Sequence, residues 1–326
     1  MHRRRFVHAV LPALAAFAAP SLIAAPADGA AWLLRLREAA QHRNFQGTLV
    51  HSVGGTASSS RVAHYGENGH QYERMEMLDG QMRRVFRHDD EVLTLWPERR
   101  LAVFEQREPG AAMPVLLRAR PDEQVFERYE LRSQGTDRVA GHETQVFLLH
   151  PRDALRFAQR LWMEPHTSLL LRVDLLAADG RVLESAAFSE LTLGVRPQPE
   201  TVLRPMRKLD GYRVLRPAQL RTRLDAEGWS APEVPGFEQL SCFKRVLDEG
   251  EGGRNGETLQ VVYADGLTHV SLFIEPYRGE HHRPMQTAIG ATHTLMQRQG
   301  SWWVTAVGEV PMGTLQKFAA GLTRRP

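Results

Sequence analysis

Cysteine is almost absent from this sequence. Cys242 is the only one among 326 residues, so the chain cannot form an internal disulfide. Its hydrophobic core must therefore supply its stability, and 42% hydrophobic with 24% charged residues is the composition of an ordinary globular protein. Cys242 lies in a strand-like run, where it is predicted to be a buried apolar side chain and not a reactive thiol.

The sequence also has no excess of positive charge when residues 1–27 are left out of the count. Arg3, Arg4 and Arg5 precede an apolar run and then small residues up to Ala27, the layout of a secretory signal peptide over residues 1–27. The alternative is an uncleaved anchor, although Pro12 and the alanine-rich composition favour cleavage. Without this segment, the 41 basic and 38 acidic side chains become 38 of each sign. No nucleic acid partner is therefore expected, and no later run is long enough to cross a membrane.

Recognisable catalytic motifs are missing as well. The chain has no G-x-S-x-G, P-loop, H-E-x-x-H or dinucleotide glycine fingerprint. His281-His282 suits a solvated loop better than a metal site, since adjacent side chains on a strand point to opposite faces. Asp89-Asp90 suits a hairpin turn better than a glycosidase cleft. The sequence thus predicts no enzyme, no catalytic residue, no cofactor and no metal.

What the sequence does contain is a series of short strands. Residues 72–104 form four of them in the prediction, separated by polar turns at 79–80, 88–90 and 97–100. Strands are also predicted at 45–50, 58–65, 126–133, 138–140, 144–150, 161–163, 168–177 and 182–193. Because no long helix separates them, the sheet is predicted to be antiparallel.

A helix is predicted to open this first domain. Asp28 is a suitable N-cap, and apolar residues recur on one helical face. The members of this face are Trp32, Leu33, Leu36, Ala39 and Ala40. Between prolines, Met113–Leu117 is either a buried turn of helix or a mobile flap within residues 108–124.

Residues 197–217 are rich in proline and arginine. They predict a semi-stiff basic linker between a first domain at 28–196 and a second at 218–326. The linker is either a solvated connector or a docking surface for an acidic segment. The second domain is predicted to be small and α+β. It has a hairpin around Asp265-Gly266, strands near 292–298 and 302–310, and a final helix that buries Leu315, Phe318, Ala319 and Leu322.

Several pieces of this chain resemble the RseB/MucB family of periplasmic negative regulators of sigma-E activity. In the first domain they are N-F-Q-G-T-L-V at 44–50, E-R at 73–74, L-D-G at 78–80, R-V-F-R at 84–87 and P-R-D at 151–153. In the second they are Y-A-D-G-L at 263–267, residues 270–276 and V-T-A-V-G-E-V-P at 304–311. Their order and spacing across both domains carry the resemblance.

The resemblance implies a mainly β, α+β fold. Its N-terminal domain would be a LolA/LolB-like unclosed antiparallel β-barrel with helices, followed by a smaller C-terminal α+β domain. It also implies a periplasmic protein that binds the periplasmic domain of an RseA/MucA-type anti-sigma factor and shields it from site-1 proteolysis. Lipid or lipopolysaccharide acyl chains would trigger release. The oligomeric state is left open, a homo-oligomer included.

Two sets of side chains are candidates for these roles, with a plain packed core as the alternative for the first. The candidates for lining a lipid site are Met75, Met77, Phe86, Leu93, Leu95, Trp96, Phe104 and Trp162. The candidates for the partner surface combine basic residues with aromatics that look exposed, because Arg and Trp are favoured at interface centres: Arg204, Arg207, Arg213, Trp229 and Phe237. The alternative function is a periplasmic lipid or lipoprotein carrier, which would not need the second domain.

Overall fold

The computed structural model describes residues 29–106, 124–246, 257–279 and 282–325. The predicted signal peptide, its following cap residue Asp28, the segment Met113–Leu117 and His281 lie outside the described residues. Within them, no helix combines the length and the hydropathy that a membrane crossing requires.

The described chain is mostly strand, with four short helices. The helices are α1 (Gly29–His42), α2 (Val125–Arg128), α3 (Glu200–Arg207) and α4 (Met312–Gly321). The strands are β1 (Phe45–Val53), β2 (Thr56–Glu67), β3 (His70–Met77), β4 (Arg84–His88), β5 (Glu91–Trp96), β6 (Leu101–Gln106), β7 (Tyr129–Val139), β8 (His142–Pro151), β9 (Ala158–Met163), β10 (Leu170–Leu176), β11 (Val182–Leu193), β12 (Arg213–Leu215), β13 (Ala218–Arg221), β14 (Trp229–Ser230), β15 (Glu238–Val246), β16 (Glu257–Ala264), β17 (His269–Pro276), β18 (Met285–Ile289), β19 (Thr292–Gln299), β20 (Trp302–Gly308) and β21 (Thr323–Arg324).

Twelve of these strands form one open sheet. Its order is β12-β6-β5-β4-β3-β2-β1-β11-β10-β9-β8-β7. The two end strands, β12 and β7, do not pair with each other, so the sheet is not closed. All neighbours are antiparallel except β12, which pairs parallel with β6. The prediction of a mainly β protein with an unclosed antiparallel sheet is confirmed, with β12 as the parallel exception.

The four predicted strands of residues 72–104 are present as β3 to β6, and their turns fall where the polar residues predict them. The last turn contains a short 3-10 helix (Pro97–Arg99), after which Arg100 adopts a left-handed conformation. These turns depend on local sequence alone, which is why the pattern predicts them well.

Apolar side chains cover both faces of the sheet around β8 to β10. Trp32, Leu33 and Leu36 of α1 pack on one face, against Phe147 and Leu161. A second cluster, which includes Phe45, Leu49, Val146, Trp162 and Phe188, fills the other. Strand residues therefore alternate between two buried environments, as the loss of polar alternation in this region predicts.

The basic stretch 197–217 differs from the predicted linker. Residues Glu200–Arg207 form α3, and its side chains Val202 and Met206 are buried against the large sheet. A few residues later, β12 extends that sheet by one strand. Much of the stretch is therefore ordered on the first domain rather than suspended between two domains.

The second domain has its own seven-stranded sheet and its own core. The strand order is β13-β15-β16-β17-β20-β19-β18. α4 buries Leu315, Phe318 and Ala319, and Leu322 follows with its side chain fully buried, as predicted. Cys242 is also buried, and burial raises the pKa of its thiol to about 11, so the prediction of a buried, unreactive cysteine agrees with the structure. Strands β13 and β18 were not predicted.

Candidate functional site

One candidate region is an apolar cluster that α3 covers, called the α3 cluster below. The sheet contributes Phe86, Leu93 and Leu95 to it, and α3 contributes Val202 and Met206; its other buried members are Ala63, Tyr65, Tyr72, Ala102 and Phe104. Four candidates for lipid contact therefore lie together: Phe86, Leu93, Leu95 and Phe104. All four are at most 5% exposed, so this cluster is a packed core in the conformation described.

The other four candidates for lipid contact lie elsewhere. Met75 pairs with Val85, next to the pair Arg74 and Phe86, so its side chain points to the opposite face from Phe86. Trp162 belongs to the cluster on that opposite face, where its indole N–H donates to Asp137 Oδ2 at 2.9 Å. The remaining two, Met77 and Trp96, are half-buried. The structure therefore does not bring the eight residues into one lining.

Two cavities in the described structure were considered as sites for an acyl chain. One, beside Glu73, Met75 and Arg87, has a volume of about 10 Å³, room for about one water. A second, of about 360 Å³, is a cleft lined by Ser52 to Gly55, by the start of β11 and by Gly290. Its lining combines Val53, Val182 and Leu183 with serine hydroxyls, glycine backbone and Arg181. The side chains of the α3 cluster are packed against one another, so an acyl chain there would require α3 to move.

The second candidate region comprises the exposed arginines of α3 and β12. Arg204, Arg207 and Arg213 are all exposed. Arg207 lies 3.9 Å from Glu200 of the same helix in a solvent-exposed pair, which leaves its guanidinium accessible. Arg213 pairs with Leu101, next to Ala102 of the α3 cluster, so its side chain leaves the sheet on the face opposite to α3. The three predicted arginines are therefore exposed, but the structure does not bring them together on one face.

The two aromatic candidates for partner contact are buried, so the expectation that they are exposed was wrong. Trp229 is 2% exposed and Phe237 is 9% exposed, and both belong to the core of the second domain. Phe237 packs edge-on against Phe318, and Trp229 packs edge-on against Trp302. Neither offers a surface to a partner in this conformation. Both aromatics have glycine neighbours that are typical of loops, but their side chains pack into the core of the second domain.

The third region is the junction of the two domains. Asp265, in the β16–β17 turn, accepts the Tyr129 hydroxyl at 3.0 Å and the Arg156 Nε at 2.6 Å. Its other oxygen accepts the backbone N–H groups of Leu267 and Thr268, at 2.9 and 2.8 Å. Burial, reinforced by the Asp265 carboxylate, raises the pKa of Tyr129 well above 10, so Tyr129 stays a hydrogen-bond donor.

Arg156 completes this junction. A second nitrogen of its guanidinium donates to Asp153, and a third donates to the carbonyl of Pro235 at 2.8 Å. Burial alone would lower the pKa of Arg156, but the neighbouring Asp265 raises it above its ordinary value. Gly236 is needed beside it, since a Cβ there would lie 2.3 Å from the guanidinium. The two short motifs at 151–153 and 263–267 therefore meet in space, which their spacing in sequence does not reveal.

A second contact between the domains lies at the 360 Å³ cleft. Gly290, in the β18–β19 turn, adopts a φ of +61°, and a Cβ there would lie 2.3 Å from Val53. The turn therefore approaches the first domain at a distance that only glycine allows. Phe157 also packs edge-on against His293, and Arg245 lies 3.9 Å from Glu105, so the described residues of the two domains meet at several places.

Comparison with known proteins identifies the family of a chain with this architecture. The model of the MucB/RseB N-terminal domain matches residues 28–206, and that of the MucB/RseB C-terminal domain matches residues 223–323. The chain belongs to the MucB/RseB family. The resemblance that the sequence motifs carry is thereby confirmed.

Curated relatives of the MucB/RseB family match nearly the whole chain. The Pseudomonas aeruginosa protein "Sigma factor AlgU regulatory protein MucB" is 31% identical over 315 residues, which cover 93% of this chain and 94% of the relative. The Escherichia coli protein "Sigma-E factor regulatory protein RseB" is 23% identical over 301 residues, 92% of this chain and 91% of the relative. These relatives are regulatory proteins by name.

Solved structures of MucB match as well. The complex of Pseudomonas aeruginosa MucA and MucB contains a chain that is 28% identical to this one with a TM-score of 0.71. The match covers 92% of this chain and 100% of the solved chain. A crystal structure of MucB matches with a TM-score of 0.66 at 26% identity. The arrangement of both domains in the MucB/RseB family is therefore shared over almost the full length.

Proposed function

We propose that this chain is a periplasmic regulator that binds the periplasmic domain of a MucA-type anti-sigma factor. Bound in this way, it would shield that domain from site-1 proteolysis and release it when lipid or lipopolysaccharide acyl chains bind. One observation carries this proposal: the chain matches MucB over all of the solved chain in a complex with MucA. In this role the protein acts by binding and not by catalysis.

The partner surface is assigned in this proposal to the exposed cations of α3 and β12, which a partner would contact by wrapping around the β12 edge of the sheet. Arg204 and Arg207 project from α3, and Arg213 begins β12. All three are exposed to solvent, and Arg is favoured in interfaces because its planar guanidinium can pair with carboxylates on a partner. The buried aromatics Trp229 and Phe237 take no part in this contact.

The lipid response is assigned to the other side of the same helix. Val202 and Met206 cover the α3 cluster, while Arg204 and Arg207 face solvent. An acyl chain that replaces these two side chains gains about 0.8 kcal/mol for each methylene it buries, before ordering costs. Because it would displace α3 from the sheet, the partner surface would lose its arrangement, and lipid would weaken partner binding. The coupling must be reciprocal, so the partner would weaken lipid binding equally.

A lipid carrier is the alternative function, and the domain junction weighs against it. A carrier needs only a domain that holds cargo, whereas here the second domain is joined to the first through the buried Arg156–Asp265 pair and the Gly290 contact. Such a joint suits a protein whose two domains act together on one partner. A hydrolase has no support in the sequence motifs.

Charge reversal tests the partner surface. The double variant Arg207→Glu with Arg213→Glu is expected to weaken binding of the periplasmic anti-sigma segment by about tenfold or more, equivalent to about 1.4 kcal/mol. The measurement is isothermal calorimetry with purified protein lacking residues 1–27. The matched control is Arg132→Glu with Arg138→Glu, two exposed arginines on β7 at the opposite end of the sheet. Equal affinities for both double variants would remove the surface from the proposal.

A further inference from the structure

Three potential metal ligands lie together at one end of the large sheet. His70 begins β3, just after the β2–β3 turn, and His88 and Asp89 lie at the β4–β5 turn. β3 and β4 are neighbours, with Tyr72 opposite His88. His70, two residues from Tyr72, therefore lies on the same face of the sheet. The donor atoms of His70, His88 and Asp89 all lie within 4.8 Å of one another.

The distances suit a shared cation. His70 Nδ1 lies 2.7 Å from Asp89 Oδ2, and His88 Nε2 lies 3.5 Å from the same oxygen. Ligand atoms around a tetrahedral zinc ion, with bonds of about 2.05 Å, are separated by roughly 3.3 Å. To bind the ion, the distance between His70 and Asp89 would lengthen slightly and the distance between His88 and Asp89 would shorten slightly. Both histidines are partly exposed, as is Asp89, so small rotations and entry of an ion from solvent are open to them.

Neighbouring groups hold two of the three ligands in place. The second oxygen of Asp89 accepts the Gln71 N–H at 2.9 Å, and Asp89 donates its own N–H to the Gln71 carbonyl. Arg87 Nε donates to the Asp89 carbonyl. The His88 ring is stacked on Tyr72 with a centroid distance of 4.9 Å and an angle of 6°. Outer contacts of this kind orient the ligands of protein metal sites.

A ring nitrogen of His88 without a hydrogen-bond partner is a separate observation. Its Nε2 is buried and makes no hydrogen bond, although Asp89 lies just beyond hydrogen-bond reach. Buried polar atoms normally have a partner. A metal ion between this nitrogen and the Asp89 carboxylate would supply one.

We propose that His70 Nδ1, His88 Nε2 and Asp89 Oδ2 form a binding site for a divalent first-row transition metal ion, with Zn²⁺ the ion expected. Two imidazoles and one carboxylate are typical donors for this class of ion. Because all three side chains are partly exposed, water can supply a fourth ligand. This inference does not rest on the proposed partner surface or lipid response, although His88 stacks on Tyr72 of the α3 cluster, so the metal titration tests it separately.

Calorimetric titration with ZnCl₂ tests the site directly. The sample is the untagged chain from residue 28 onward in a buffer free of chelating agents. Wild type is expected to bind one ion per chain. His88→Ala and Asp89→Asn each remove a proposed ligand. Each is expected to weaken Zn²⁺ binding by at least about 10- to 100-fold, the loss that typically follows when a residue that only orients a ligand is changed. Co²⁺ in place of Zn²⁺ gives a visible absorption band that should disappear in both variants.

A matched control separates this site from any surface histidine. His51 Nε2 lies 2.6 Å from Glu184 Oε1, another histidine–carboxylate pair on the same sheet, and His51→Ala should leave Zn²⁺ binding unchanged. Circular dichroism confirms that each variant is folded, and His88→Gln replaces His88→Ala if that variant is not. The proposal is overturned if wild type shows no saturable binding, or if binding survives in His88→Gln and Asp89→Asn.

Discussion

Arg156 and Asp265 form an ion pair that is almost completely enclosed between the two domains. The Arg156 Nε atom lies 2.6 Å from Asp265 Oδ2, and the side chains are 1% and 0% exposed. Tyr129 donates to the same oxygen. Because these groups come from both domains, the pair fixes how the β16–β17 turn of the second domain lies against the first.

Removal of one partner of this ion pair should strongly reduce the stability of the folded protein. Asp265→Ala leaves the Arg156 guanidinium buried without its carboxylate, and we expect a loss of about 3–5 kcal/mol in the free energy of unfolding. Urea denaturation followed by circular dichroism measures it. Asp225→Ala is the control, since Asp225 pairs with Arg223 in an exposed ion pair and should change stability little. A loss for Asp265→Ala no greater than that of the control would contradict the importance of the junction.

Stability should fall in mildly acidic solution because of His64. This side chain is fully buried, and burial lowers its pKa below 6.5. Below pH 6.5 the unfolded chain binds a proton that the folded chain does not. The stability is therefore complete above pH 6.5 and falls as the pH decreases through the lowered folded pKa, by at most about 1.4 kcal/mol per pH unit for this group.

Replacing His64 isolates its contribution. His64→Gln should flatten the decrease in the free energy of unfolding between pH 6.5 and 5, the upper bound of this window being the unfolded pKa. Part of the decrease will remain because burial also lowers the pKa of His293. Chemical denaturation at a series of pH values gives the slopes. Identical slopes for the variant and wild type would show that His64 does not cause the decrease.

Cys242 should resist thiol reagents in the folded protein. It is 2% exposed, and burial raises the pKa of its thiol to about 11, so only about one thiol in a thousand is ionised at pH 8. We expect the native protein to react with a disulfide reagent far more slowly than the protein unfolded in guanidinium chloride. Equal rates in the two states would show that Cys242 is accessible.

Local signals in the sequence predicted much of the fold. The turns at 79–80, 88–90 and 97–100, the apolar face of α1 and that of α4 all depend on residues close together in the chain, and each is present. Helix α3 was missed because Pro199 precedes it and Pro205 lies within it, a pattern typical of a linker. Strand β12 has only three residues, too few for a periodic pattern.

The candidate sites were harder to predict because they depend on contacts between distant residues. Arg156 and Asp265 are 109 residues apart in sequence, and no pattern pairs them. Trp229 and Phe237 were expected at the surface near the basic run, although both are buried in the core of the second domain. The sequence does not show which face of a sheet a side chain occupies, so the lipid candidates included both Phe86 and Met75, which lie on opposite faces of one sheet.

The proposed lipid response predicts that weaker packing of α3 opens the α3 cluster. Val202→Ala with Met206→Ala removes the two buried side chains of the helix, so uptake of a fluorescent fatty acid should increase and affinity for the anti-sigma segment should decrease. Val202→Ile with Met206→Leu keeps both positions apolar and filled, so this control should alter neither. Increased uptake with unchanged partner affinity would separate the lipid site from the partner surface.

One measurement tests the central proposal most directly. It is calorimetry of the chain lacking residues 1–27 with the periplasmic segment of its cognate anti-sigma factor, in the presence and absence of lipopolysaccharide. The proposal predicts saturable binding that lipopolysaccharide weakens, and the ratio of the two affinities gives the coupling free energy. Uptake of lipid with no binding of the anti-sigma segment at any usable concentration would contradict it and indicate a carrier.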